Sequence, residues 1–126
     1  MSSLDQWLAT HKVNTVDFIK LDVEGGELSV LHGAQRLLES AQRPVILAEV
    51  QDVRTQPWGY RAREIITYLS AKGYKWFSLS AEGALMPLDV RAETFDGNFV
   101  ACPEESVPLL GHLGFFGTAV TSSSRS

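Results

Sequence analysis

One cysteine in 126 residues, Cys102, leaves this chain no internal disulfide framework, which fits a reducing compartment. No run of lysine or arginine occurs and the formal net charge is −4, so the basic patch that nucleic-acid binding requires is missing. No apolar stretch reaches the ~20 residues of a membrane span; the least charged part, 107–120, is interrupted by three glycines. No charged-then-apolar leader precedes the first amphipathic segment, so a secretory signal is not expected and the cytoplasm is the expected location. The ten glycines form neither G-x-G-x-x-G nor G-K-[ST], which excludes a phosphate cradle of those kinds. No histidine, cysteine or acid spacing is diagnostic of a metal, and none is expected.

With 44% hydrophobic and 21% charged residues, what is present describes one ordinary globular unit, expected over 1–120 with a flexible tail at 121–126. Residues 4–8 place Leu4, Trp7 and Leu8 on one helical face behind a serine cap. Strands are expected at 16–21, 45–50, 74–80 and 98–102, with a short extended piece at 84–88. The first of them reads as buried on both faces. Helical pieces are expected at about 28–33 and 34–41, and a clear one at 61–72, where Ala62, Ile65, Ile66 and Leu69 form a stripe and Gly73 a cap. Residues 51–60 read as a loop. The order is that of an α/β fold, with right-handed parallel crossovers first and an antiparallel pairing among the last strands.

The chemistry concentrates in residues 16–31, VDFIKLDVEGGELSVL, where a strand delivers Asp22 and Glu24 into a Gly25-Gly26 turn that opens a helix at Glu27. Ligands of open α/β sheets bind beyond such strand ends. Residues two apart on a strand project to one side, so Asp22 and Glu24 are expected to share a crevice and to raise one another's proton affinity. Alternatively Glu24, and above all Glu27, serve the helix N-terminus. Gly25 and Gly26 permit positive φ or close backbone approach. Glu49 ends the second strand, with Asp52 just beyond, and the acids together form a rim with oxygen ligands. Trp58 and Tyr60 form either an aromatic wall or a hydrophobic plug. His32 is either a base reaching the crevice or a surface histidine. Cys102 reads as a small core residue.

The run DFIKLDVEGGELSVLHGA, preceded by SLDQWLATHKV and followed by RPVILAEV, resembles the later half of FkbM-type methyltransferases. The centre of the likeness is D-x-E-G-x-E followed by V-L-x-G-A. That resemblance implies a Rossmann-like class I methyltransferase sheet, mostly parallel, in the family's order 4-5-7-6 with the seventh strand antiparallel, and with helices on the faces. It implies S-adenosylmethionine as methyl donor and a small-molecule hydroxyl acceptor whose identity stays open. Within it, Asp22 and Glu24 are the catalytic candidates, as proton acceptor or orienter of the hydroxyl. Glu49, Trp58 and His32 are acceptor-binding candidates, and Gly25 is the candidate for cofactor approach. The glycine-rich loop that such enzymes carry after their first strand is absent. The resemblance thus implies a homodimer or an N-terminal half that completes the site. The alternatives are a catalytically silent small-molecule-binding remnant and a protein-interaction module derived from the fold.

Overall fold

Strict alternation along β2 (Val45–Gln51) sets the architecture: Ile46, Ala48 and Val50 are fully buried, whereas Val45, Leu47, Glu49 and Gln51 are half-buried. The computed structural model describes residues 3–13 and 15–112. Over these, β1 (Phe18–Leu21), β2, β3 (Tyr74–Leu79), β4 (Leu85–Pro87) and β5 (Asp96–Pro103) form one sheet in the order β1-β2-β5-β3-β4. Strand β1 pairs parallel with β2, Phe18 opposite Val45 and Leu21 opposite Ala48. Strand β5 runs antiparallel between β2 and β3, aligning Leu47, Val100 and Phe77 across three strands. Hairpin strand β4 pairs antiparallel with β3.

The inserted antiparallel last strand is therefore present, but the expected mostly parallel sheet is not. Strands β1, β2 and β3 do run in one direction. Because β5 separates β2 from β3 and β4 adds a hairpin, however, only the β1–β2 pairing is parallel and the sheet is mixed. A second expectation also fails. Strand β1, at the edge of the sheet, is not buried on both faces: Phe18 and Lys20 are exposed, and only its other face is covered.

The covered face carries α2 (Glu27–His32), α3 (Gln35–Leu38) and α5 (Arg63–Ser70). Leu31, Leu38, Ile65, Ile66 and Leu69 pack there on Ile46, Ala48, Val50, Trp76 and Ala101. The opposite face holds a smaller cluster, Phe77, Leu85, Val100 and Cys102, approached by Val107 and Leu110 of α6 (Val107–His112). Cys102 is part of that core, and burial pushes its thiol up to about 11, out of reach of nucleophilic use.

The first helix, α1 (Leu4–Thr10), starts from a capping box in which Ser3 and Gln6 exchange hydrogen bonds. Asp5 then caps a different helix: its carboxylate accepts from the Arg36 and Leu37 amides, at 2.8 and 3.1 Å, at the start of α3. Arg43 ties the far ends together, donating to carbonyls of Leu38 (3.4 Å), Lys72 and Gly73 (3.4 Å) and pairing with Glu105 at 2.7 Å. The residues expected to be loop after β2 contain a short helix, α4 (Asp52–Thr55), and a 3-10 turn, Gln56–Trp58. Asp52 makes this possible, because its carboxylate accepts from Ala62 (3.1 Å) and Phe95 (2.9 Å) and its amide donates to the Phe95 carbonyl (3.1 Å). The 121–126 tail, and the part of the apolar 107–120 stretch beyond 112, lie outside the described residues.

Candidate functional site

Parallel pairing of β1 with β2 places the ends of both strands at one rim, and there the acids sort themselves by register. Leu21 stands opposite Ala48, so the next residue on each strand is an acid, Asp22 and Glu49. These two carboxyls are neighbours: Glu49 has its proton affinity raised above the ordinary carboxylate value, first by burial and next by Asp22 beside it, with Arg54 opposing.

Glu24 goes elsewhere. Its backbone is left-handed, φ 50°, and its carboxylate pairs with Arg54 at 3.3 Å on the surface. The like-charge partnership expected between Asp22 and Glu24 is thus realised between Asp22 and Glu49. The sequence rule of alternation stopped applying where the strand ends at Leu21 and the turn begins.

The turn is built around Glu27 and Trp58. The buried Glu27 carboxylate accepts from the amides of Val23 and Gly25, both at 3.1 Å, and so closes the turn from within. Gly25 has φ +105°, and a Cβ there would lie 2.1 Å from the Arg54 carbonyl oxygen and 2.6 Å from the Trp58 ring. At Gly26 a Cβ would come within 3.1 Å of the same indole. The glycine pair is therefore a flat seat for Trp58, whose N–H donates to the Glu24 carbonyl at 3.2 Å. The Tyr60 hydroxyl donates to the Gly25 carbonyl at 2.5 Å and accepts from the Leu28 amide at 3.4 Å. Trp58 is a plug over the turn on its inner side, and its outer side remains exposed.

His32 stands at the other end of α2, its ring edge-on to Tyr68 at 4.8 Å. It lines a cleft of about 400 Å³ together with Leu28, Arg61, Arg63, Glu64 and Thr67, which none of the rim acids enters. Asp52, a candidate for the rim, instead has both oxygens engaged by the backbone. Among the described residues no three His, Cys, Asp or Glu side chains gather as metal ligands would, and no helix is long and apolar enough to cross a membrane.

A methyl-donor cofactor finds little to hold it in this turn. The amides of Val23 and Gly25 are taken by Glu27, and the close approach that Gly25 permits is filled by Trp58 and Arg54. The residues described do not fit a cofactor cradle at Gly25. Sequence reasoning had placed Glu27 at the helix N-terminus but missed its role as the staple of the turn. Its spacing, two and four residues after the amides it binds, was the available signal. The Arg54–Glu24 pair had no such signal.

Compared with known families, the chain matches the model of the methyltransferase FkbM domain over residues 1–76, which takes in α1 through the first half of β3. No curated protein and no solved structure matches the chain.

Proposed function

The chain belongs to the methyltransferase FkbM domain family, and on that premise we propose that it supplies the acceptor side of an S-adenosylmethionine-dependent O-methyl transfer. One observation carries this reading: Asp22, just past the carboxyl end of β1, meets Glu49 near the carboxyl end of the parallel strand β2, the side of an α/β sheet where ligands bind. S-adenosylmethionine, when bound, supplies an electrophilic methyl group. What this chain contributes is a base of raised proton affinity at Glu49, better matched to taking a hydroxyl proton than an ordinary carboxylate. Asp22, beside it, raises that affinity and orients the carboxyl. Glu24, tied to Arg54, and the outer face of Trp58 border the same turn and confine the acceptor. The cofactor cradle then comes from outside the described residues, through a second copy of the chain or a further segment that completes the sheet beyond β1.

The test is methyl transfer to hydroxyl acceptors by the purified protein, alongside calorimetric titration with S-adenosylmethionine and S-adenosylhomocysteine. Glu49→Gln is expected to lower kcat by ~10²–10⁴-fold while leaving cofactor affinity unchanged. Unaltered turnover in Glu49→Gln would remove Glu49 from the reaction.

The sealing of Gly25 favours a second reading, a catalytically silent binding module that keeps the fold. Absence of cofactor binding at millimolar concentration by the full chain decides for that reading.

A further inference from the structure

The half-finished face of the sheet lies in line with the acid pair. On β2 the residues of that face are Val45, Leu47 and then Glu49; on β1 they are Phe18 and Lys20, and Asp22, just past the end of the strand, lies beside Glu49. Phe18, Val45, Leu47 and Val100 floor a groove of about 330 Å³ that Leu79 and Leu85 close on the far side. Leu110 of α6 and Asp17 also line it. Two of these residues remain open to solvent, Phe18 at 55% and Leu79 at 45% exposure. Glu49 follows Leu47 on the same face, ~7 Å further along the strand. The groove and the acid pair are thus consecutive stations on one surface.

We propose that this groove holds the apolar body of the acceptor, an uncharged hydroxyl compound with an aliphatic chain, whose hydroxyl end reaches Asp22 and Glu49. The proposal rests on the acceptor-side reading above. The volume suits about ten methylene-sized groups, taking ~30 Å³ for each. Among the described residues no lysine or arginine lines the groove, and its one charged lining residue, Asp17, repels a carboxylate or phosphate. Lys20 is exposed between Phe18 and Asp22 and does not line the groove. The occupant is therefore neutral, apolar along its length and hydroxylated at one end.

The probes are 1-decanol and decanoate, titrated at pH 8 into the full chain and followed by amide NMR. Saturable 1:1 binding of decanol is expected, with shifts at Phe18, Leu47, Leu79 and Glu49, and decanoate at least tenfold weaker. Phe18→Gln and Leu79→Gln alter exposed side chains that the fold does not require. Each is expected to weaken decanol about tenfold with an otherwise native spectrum. No saturable binding, decanoate binding as well as decanol, or indifference to both substitutions would overturn the proposal. A groove filled by a second copy of the chain gives the first of these outcomes together with a dimer in sedimentation. Decanol binding without methyl transfer would leave the groove standing and bring down the acceptor-side reading alone.

Discussion

Strand β2 presents two faces made by the same seven residues, and they have opposite fates. Ile46, Ala48 and Val50 vanish under α2, α3 and α5, while Val45, Leu47 and Glu49 are only half-buried, the first two beside Val107 and Leu110 of α6. Strand propensity does not separate them. The helices do, and the less covered face is the one that ends in the acid pair. A finished face stabilises the fold, whereas an unfinished one leaves room for a ligand.

The largest expected effect sharpens that contrast. Ile46→Ala should cost ~3–4 kcal/mol in urea unfolding, because the cavity opens in a sealed core, whereas Leu47→Ala should cost ~1 kcal/mol. Equal losses would mean that the second face is covered in solution after all. Next comes the turn that joins the two faces. Gly25→Ala is expected to cost ~2–3 kcal/mol, since positive φ and the Arg54 carbonyl both forbid the new methyl, whereas Gly59→Ala, with positive φ but open space, should cost ~1 kcal/mol. Glu27→Ala should cost ~1–3 kcal/mol by stranding two amides, read by faster exchange of the Val23 and Gly25 protons.

The smallest effect concerns the open end of the groove. Glu49 binds its proton more tightly folded than unfolded, so the native state loses stability as pH rises from the ordinary carboxylate value of ~4.3 through the raised one. Glu49→Gln should remove this decline, showing a slightly higher Tm than the parent at pH 7 and little gain at pH 4. The opposite trend would mean that Glu49 is stabilised as the anion.

Much of this was legible in the chain. Short apolar and aromatic runs between turn residues located all five strands to within about two residues, and the Ile65-Ile66-Leu69 stripe located α5. What failed has a common origin in contacts distant in sequence. Alternation puts Asp22 beside Glu24 only while the chain is extended; register across β1 and β2, 27 residues apart, puts it beside Glu49 instead. Burial on both faces was inferred for β1 from its apolar letters, but burial depends on neighbours that no single run reveals. Likewise α4 was hidden because Asp52 caps groups ten and 43 residues away.

The position of β5 has a consequence for how this molecule comes into being. The central strand of the sheet is the last to appear in the chain, and it pairs with both β2 and β3. Until it arrives there is only a parallel pair and a hairpin, each too small to persist in water. Folding must therefore wait for residues near 100 and then close loops of some twenty to fifty residues in a single cooperative step, with the slow, all-or-none kinetics of a topology dominated by long-range pairing.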